Sequence, residues 1–219
     1  MNPDYINHIK KAFEVGRDSE EIVAYHGTSL EVLEDIIQKG YQGGSVKRYN
    51  RGNEIRRKGD IFTLPIYGKS PIKLREKLVD EAGTFDNAVT FAKGISGDTY
   101  ILKKLNLPIG NNISGKIIGI RGALDWQGFI ADYPFYEDYP KIIKFLNDKG
   151  YTMKMIDVLI KESSKKEGIV IGYKSTIYER NKPFPGGDGN DVRVQQILIN
   201  DIVCIEPLDQ ESWDYLSSL

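Results

Sequence analysis

The sequence predicts an α+β fold in a single domain of 219 residues, 1–219. Two observations predict this class: apolar residues recur at helical spacing along the chain, and strand-like apolar runs cluster near its end. A hydrophobic content of 40% is sufficient for one large core, and two small domains are the alternative.

The chain opens with a helix and a strand. Residues 1–20 contain a predicted leading helix, since apolar residues recur every three or four positions until Gly16 stops the pattern. The compact apolar run 22–25 predicts a buried strand that ends at His26 and Gly27. We therefore expect His26 and Gly27 at the end of a strand, shortly before a helix begins.

A second helix is predicted from Leu30 to Gly40, because apolar residues mark one face of this segment. Thr28 and Glu31 have the spacing of a capping box, which predicts that Thr28 caps the helix. The following residues, 43–58, combine six Lys and Arg residues with Gly and Asn, and this composition predicts an exposed basic loop. Such a loop could bind the phosphates of a ligand or of nucleic acid, or be a solvated charge run.

The rest of the chain mixes helices and strands. A strand is predicted at Asp60–Leu64, an insertion at 65–84 and a helix at Phe85–Ala92. The remaining predicted elements are a strand at 116–122, a helix after the aromatic segment 132–140, a helix near 153–160, an irregular Pro- and Gly-rich loop at 181–190, and late strands at 168–173, 192–199 and 202–206.

Composition excludes several classes of function. Thirty basic and thirty-one acidic residues give a net charge of -1, so no global field favours nucleic acid. Cys204 is the only cysteine and lies in an apolar run, which predicts a buried structural thiol and excludes a disulfide framework. With only two histidines, we expect no metal site.

No signal peptide or membrane span is predicted, so the expected location is cytoplasmic, with a secreted effector as the alternative.

The run Tyr25-His26-Gly27-Thr28-Ser29, followed by a helix that ends at Lys39-Gly40-Tyr41, resembles the ADP-ribosyltransferase family. The likeness is to the branch that contains diphtheria toxin and the poly(ADP-ribose) polymerases. It implies a split two-sheet fold with interspersed helices and a cleft between the sheets for NAD, which is the substrate.

The resemblance also implies roles for individual residues. The backbone of Gly27 would hold the nicotinamide amide, and His26 would contact ribose, with Thr28 beside them. Gly59–Thr63 resembles the next family strand, so Ile61, Phe62 and Thr63 are expected at the NAD site, with Ile61 where a tyrosine is common. Phe91, within Asn87–Ala92, would stack on nicotinamide. Judged from the residues alone, His26 could instead be a core histidine and Phe91 a core aromatic.

The last family element is a strand that opens with glutamate, and here Val192–Ile199 offers Gln195 or Gln196 in its place. Glutamine can still hydrogen-bond a ribose hydroxyl, but it brings no charge to offset a developing cation. That difference could remove on the order of 2–4 kcal/mol of transition-state stabilisation. Glu179 is an alternative acid, although Tyr178–Arg180 is also interpreted as a solvated strand end.

The function implied by the resemblance is mono-ADP-ribosyl transfer from NAD to a macromolecular acceptor, either protein or nucleic acid. Three alternatives stay open: an NAD glycohydrolase, a non-catalytic NAD- or ADP-ribose-binding module, and an RNA 2'-phosphotransferase. The missing glutamate favours the binding module. An inhibitory partner protein also stays open, and no membrane partner is expected.

Overall fold

The computed structural model describes residues 2–43, 47–51, 54–58, 61–72, 81–104, 148–181, 184–185 and 192–219, which form a mixed α+β structure of the predicted class. They fall into two compact units, one of Met1–Gly94 with Glu167–Leu219 and the other of Ile95–Lys166. The single domain stays a prediction. Two predicted elements lie outside the described residues. They are the strand at 116–122 and the helix that follows the aromatic segment 132–140.

The described residues form six α-helices: α1 (Pro3–Val15), α2 (Leu30–Lys39), α3 (Glu81–Lys104), α4 (Met153–Ser163), α5 (Thr176–Arg180) and α6 (Gln210–Ser218). They form ten strands: β1 (Ala24–Thr28), β2 (Tyr41–Gly43), β3 (Lys47–Arg51), β4 (Glu54–Lys58), β5 (Ile61–Pro65), β6 (Ile169–Tyr173), β7 (Phe184–Pro185), β8 (Val192–Val194), β9 (Gln196–Leu198) and β10 (Ile202–Pro207). Within this part of the chain, no helix has the length and apolarity needed to cross a membrane.

Six of these strands form one antiparallel sheet in the first unit. Its order is β10-β6-β1-β5-β8-β7, so β1 lies in the interior between β6 and β5. Two short sheets accompany it, one pairing β2 with β9 and the other pairing β3 with β4. The interior position of β1 explains why every residue of this strand is buried.

Successive residues of each central strand contribute to different cores, because side chains alternate between the two faces of a sheet. Ala24 belongs to the larger core, which also receives side chains from α1, α2, α5 and α6. Tyr25 belongs to the smaller core, which receives Phe85, Ala88 and Ala92 of α3. The sheet therefore has α3 on one face and the other four helices of the first unit on the opposite face.

The predicted ends of the first two helices are confirmed, but the predicted cap of α2 is wrong. Gly16 follows α1 with φ 56°, and Gly40 follows α2 in a left-handed conformation with φ 80°. The residue before α2 is Ser29, whereas Thr28 is still part of β1 and pairs with Ile169. Because Thr28 is paired within the sheet, it cannot also be the N-cap residue of α2.

Several predicted segments have a different structure. Within the predicted basic loop 43–58, the described residues Lys47–Arg51 and Glu54–Lys58 form the paired strands β3 and β4 instead. The solvated strand end at 178–180 is instead part of helix α5, and Phe184–Pro185 is a short strand within the loop predicted as irregular. Helix α3 begins at Glu81, inside the predicted insertion, and extends well past Ala92. Charge and glycine content favoured a loop at 43–58, and the pairing of the two strands overrides them.

Cys204 is a free, buried thiol, as predicted. It pairs in register with Gly172 of β6, and a Cβ at Gly172 would lie 2.9 Å from the Cβ of Cys204. Burial and the nearby carboxylate of Glu206 raise the pKa of the Cys204 thiol to about 12. The side chain at this position therefore fills the smaller core and is chemically quiet.

Candidate functional site

Strand β1 pairs with its two neighbours over different lengths. All five residues of β1 are in register with β6, whereas only Ala24 and Tyr25 are in register with β5. Ala24 lies opposite Pro65, which has no N–H, so these two residues form a non-hydrogen-bonded pair. Pair types alternate along an antiparallel ladder, so the next residue, Tyr25, directs its N–H and C=O towards β5. Alternation then directs the N–H and C=O of Gly27 to the same side, beyond the last β1–β5 pair.

His26 bridges the two strands where their pairing stops. Its Nδ1 lies 2.7 Å from the backbone oxygen of Phe62 on β5. A carbonyl oxygen can only accept, so Nδ1 carries the proton and Nε2 has a free lone pair. Nε2 is buried without a hydrogen-bond partner among the described residues, and His26 is only 8% exposed. Burial lowers the pKa of His26 to about 4, so the ring is neutral at pH 7.

Two further buried oxygens near β1 also lack a partner within the described part of the chain. They are Oγ of Ser29, directly after β1, and Oη of Tyr173, on β6. The ring of Tyr173 stacks on that of His26, with 6.4 Å between their centroids. Because buried polar atoms are normally hydrogen-bonded, Nε2 of His26 and Oη of the stacked Tyr173 are two groups that a polar ligand could satisfy.

Thr63 on β5 has a structural role in this region. Its hydroxyl donates to the backbone oxygen of Val192 at 2.8 Å, and the hydroxyl of Tyr178 donates to it at 2.9 Å. Thr63 therefore connects β5 to β8 and to α5. Burial raises the pKa of Tyr178 well above its usual value, which keeps this hydroxyl protonated as a donor.

Ile61 and Phe62 face opposite sides of the sheet. Ile61 is 5% exposed and belongs to the larger core, so the position where a tyrosine was expected is occupied by a core side chain. Phe62 is 46% exposed, and the guanidinium of Arg193 lies 4.6 Å from the centre of its ring. Phe62 therefore presents an aromatic surface next to the carbonyl that holds His26.

The strand predicted at 192–199 is divided at Gln195. Val192–Val194 pairs with β5 in the large sheet, whereas Gln196–Leu198 pairs with β2 in a small sheet. We call the residues Gln195 and Gln196 the crossover, because the chain passes there from one sheet to the other. Gln195 is exposed and Gln196 is partly buried.

Asn181 fixes the backbone of the crossover. Its Oδ1 accepts hydrogen bonds from the backbone nitrogens of Gln195 and Gln196, both at 3.1 Å. Its Nδ2 donates to the backbone oxygen of Gln196 at 2.9 Å and to that of Ile177 in α5. The sequence does not single out Asn181, because an asparagine beside a Pro- and Gly-rich stretch is also typical of an ordinary turn.

Gly43, at the end of β2, brings the crossover and β5 together. A Cβ on Gly43 would overlap the backbone oxygen of Gln195 and lie 3.0 Å from Cδ1 of Ile61. With φ of 82°, Gly43 also has a backbone conformation that favours glycine. Three predicted site segments therefore lie on neighbouring strands of the large sheet. His26 is on β1, Ile61 and Phe62 are on β5, and the crossover directly follows β8.

Helix α3 packs directly on Gly27. A Cβ on Gly27 would overlap the backbone oxygen of Ala88 and lie 2.5 Å from the backbone nitrogen of Ala92. Glycine is thus required here for the close approach of a helix, a reason that is not visible in the sequence around Gly27. Phe91 lies on the same helix between these two contacts and is 53% exposed, so its interpretation as a core aromatic is wrong.

No family of known proteins, curated protein sequence or solved structure matches this chain.

The alternative acid, Glu179, has a local partner. It lies on α5, is exposed, and accepts a hydrogen bond from the hydroxyl of Ser175 at 2.9 Å. Arg180, next to it, forms an ion pair with the buried carboxylate of Asp201. Both charged residues therefore take part in the contacts of a short helix.

Proposed function

We propose that this protein binds NAD beside β1 and transfers its ADP-ribose to an acceptor. The observation that carries the proposal is the buried, neutral His26, whose Nε2 has no partner among the described residues and lies on the residue before Gly27, which is beyond the last β1–β5 pair. A ribose hydroxyl is a suitable donor for such a nitrogen, and a carboxamide is a suitable partner for one N–H and one C=O.

The described residues fit the substrate in three respects. Nε2 of His26 and Oη of Tyr173, whose rings stack, are buried without a partner within the described chain, and a polar ligand could supply one. Phe91 and Phe62 are large exposed aromatic side chains, one on the helix that packs on Gly27 and the other on the strand whose backbone accepts the hydrogen bond of His26. The crossover lies next to β5, where the resemblance requires the group that contacts the nicotinamide ribose. We accordingly propose the split two-sheet arrangement of the ADP-ribosyltransferases for the first unit.

In the proposed reaction, the bond between the ribose C1 and the nicotinamide nitrogen breaks, and its electron pair leaves with neutral nicotinamide. The acceptor then forms a bond to C1 and releases its proton to solvent. His26 would orient a ribose, Gly27 would hold the carboxamide, and Gln196 would accept or donate a hydrogen bond at the ribose. Positioning supplies the rate, because no described carboxylate stands at the crossover to stabilise the cation.

A module that binds NAD without turnover is the second candidate. The observation that favours it is the crossover itself, where two neutral glutamines are held by Asn181. This candidate shares the binding contacts of His26 and Gly27 and differs only in chemistry, so one experiment can separate the two.

The experiment is incubation of the full chain with NAD labelled in its ADP-ribose part, together with cell extract. Transfer predicts label on macromolecules and free nicotinamide, hydrolysis predicts free ADP-ribose, and the binding module predicts bound NAD alone. His26→Ala should abolish binding and transfer. His8→Ala is the matched control, since His8 also uses one ring nitrogen on a backbone oxygen, that of Ile202 at 2.8 Å. Wild-type activity in His26→Ala would refute the site.

Gln196→Glu tests the chemistry at the crossover. A carboxylate at this position should raise transfer on the order of 10²-fold, because it would stabilise the positive charge that develops on the ribose. Gln195→Glu is the comparison, and the proposal expects the larger gain at Gln196. If neither variant changes turnover, the glutamate strand has been aligned wrongly.

A further inference from the structure

Strands β3 and β4 form an unusually basic two-stranded ribbon. Its ten residues, Lys47–Arg51 and Glu54–Lys58, include six basic residues and a single acidic one, Glu54. The whole chain has one acidic residue more than it has basic ones. Positive charge is therefore concentrated in this ribbon, and the remainder of the chain has an excess of negative charge.

The register of the ribbon places like charges opposite each other. Lys47 pairs with Lys58, and Arg48 pairs with Arg57. Like charges at directly opposed positions destabilise an antiparallel pair. Arg51 opposite Glu54 is the one pair of unlike charges. We therefore expect an anion with repeated charges to offset this repulsion when it binds along the ribbon.

The length of chain that joins the ribbon to the rest of the first unit is short. Lys47 follows Gly43 by four Cα steps, and Ile61 follows Lys58 by three, so the connections span at most about 15 Å and about 11 Å. Gly43 and Ile61 are also the residues that meet beside the backbone oxygen of Gln195. The base of the ribbon is thus tethered close to the crossover.

We propose that the β3–β4 ribbon binds nucleic acid, and that nucleic acid is the acceptor class of the ADP-ribosyl transfer, a point that rests on the proposed function. Four of the six basic residues are arginines, whose planar guanidinium groups match the oxygens of phosphate. A two-stranded ribbon has the width of the major groove of DNA. A membrane surface fits less well, because the ribbon has only Ile55 and Tyr49 as large apolar or aromatic residues.

Binding is tested first, without NAD, so that it is independent of catalysis. Fluorescence anisotropy of the full chain is measured with short labelled duplex DNA, single-stranded DNA and RNA over a range of salt concentrations. The proposal expects binding to at least one of the three, with an affinity that falls steeply as salt rises, by about 0.9 logarithmic units per tenfold salt for each phosphate contact on duplex DNA. Poly-glutamate and anionic vesicles are the competing ligands, and binding to these without binding to nucleic acid overturns the proposal.

The ribbon variant is Arg48→Glu with Arg57→Glu, which reverses one like-charged pair. Its matched control is Lys11→Glu with Lys161→Glu, two exposed lysines on α1 and α4, which changes the net charge equally. The ribbon variant should lose affinity and reduce the salt slope by about two, one for each lost contact, whereas the control should keep the wild-type slope. Equal losses in both variants would show a general charge effect and overturn the ribbon as the site.

Two further measurements keep the test decisive. Circular dichroism checks that the ribbon variant folds, and the neutral change Arg48→Gln with Arg57→Gln repeats the test if it does not. Labelled NAD is then supplied with nucleic acid and with extract protein. Label on nuclease-sensitive material supports the proposal, and label on protein alone overturns the acceptor class. Nucleic-acid binding without any use of NAD would refute the proposed function and leave the ribbon site supported.

Discussion

His26 uses one ring nitrogen within the protein and leaves the other without a partner among the described residues. The bond from Nδ1 to the oxygen of Phe62 fixes the tautomer, and burial keeps the ring uncharged at neutral pH. A protonated imidazole could not accept a hydrogen bond at Nε2. A hydrogen-bond donor such as a ribose hydroxyl can therefore bind at this nitrogen only when the ring is neutral.

The same burial makes the stability of the fold depend on pH. The unfolded chain protonates His26 as the pH falls through about 6.5, whereas the folded protein does so only near pH 4. Stability is therefore fully present above pH 6.5 and is lost as the pH falls towards 4, by on the order of 3 kcal/mol. We expect His26→Gln, whose amide can donate to Phe62 but does not titrate, to lose less stability over this interval.

Urea unfolding of both proteins at several pH values checks this prediction. Acidic groups titrate in the same interval in both proteins, so the quantity to compare is the difference between the two free energies of unfolding. That difference should change between pH 6.5 and pH 4 and stay constant above pH 6.5. Parallel curves would mean that His26 is not held in its neutral form.

At the scale of elements, the contact of α3 with β1 depends on Gly27. We expect Gly27→Ala to lower the free energy of unfolding by about 3 kcal/mol, because the new methyl group would overlap the backbone of Ala88. Gly94→Ala is the matched control on the same helix, where a Cβ would meet nothing within 4 Å. This change should stabilise the helix by up to about 1 kcal/mol. Chemical denaturation measures both, and similar values for the two variants would contradict the packing.

The crossover provides a second prediction for an element. Asn181→Ala removes the hydrogen bonds that hold Gln195 and Gln196, so we expect a loss of about 1–3 kcal/mol and faster hydrogen exchange at these two amides. Asn200→Ala, at an exposed position in the turn after β9, should change stability by less than about 0.5 kcal/mol. If the exchange rates at the crossover are unaltered in Asn181→Ala, then Asn181 does not fix its backbone.

Local signals predicted the elements whose ends are set by local chemistry. Gly16 and Gly40 stop α1 and α2 as predicted, because a left-handed or otherwise unusual backbone at a helix end is a property of glycine itself. The division of the strand at Gln195 depends on Asn181 and on pairing with β2, both remote in sequence. The alternation of apolar residues, at 192 and 194 and then at 197 and 199, changes phase at the two glutamines, but it does not show which sheet each half joins.

The candidate site shows the same limit. The sequence singled out His26, Gly27, Phe62 and the glutamines, but the reason for Gly27 lies in a helix about sixty residues later in the chain. The N–H of His26 donates its hydrogen bond to a backbone oxygen. Every residue has such an oxygen, so the sequence cannot show which one accepts the bond. Side-chain identity thus indicated where chemistry could occur, and the arrangement of strands supplied the geometry.

At the scale of the whole molecule, the candidate residues all belong to the first unit, Met1–Gly94 with Glu167–Leu219. Ligand that binds only the folded state adds about 2.7 kcal/mol of stability at a concentration of 100 times Kd. We therefore expect NAD to slow hydrogen exchange in β1 and β5 and to leave α4, in the second unit, unchanged. The effect should be absent in His26→Ala, and protection confined to α4 would contradict the placement of the site.

The quiet thiol of Cys204 has a practical consequence for such measurements. Burial raises the pKa of this thiol to about 12, so it stays protonated at pH 8, and the sulfur is enclosed by the sheet and α3. Maleimide dyes should therefore not react with the native cysteine in the folded protein. A new cysteine at an exposed position, such as Lys11→Cys, could then carry a single fluorophore on an otherwise unaltered chain.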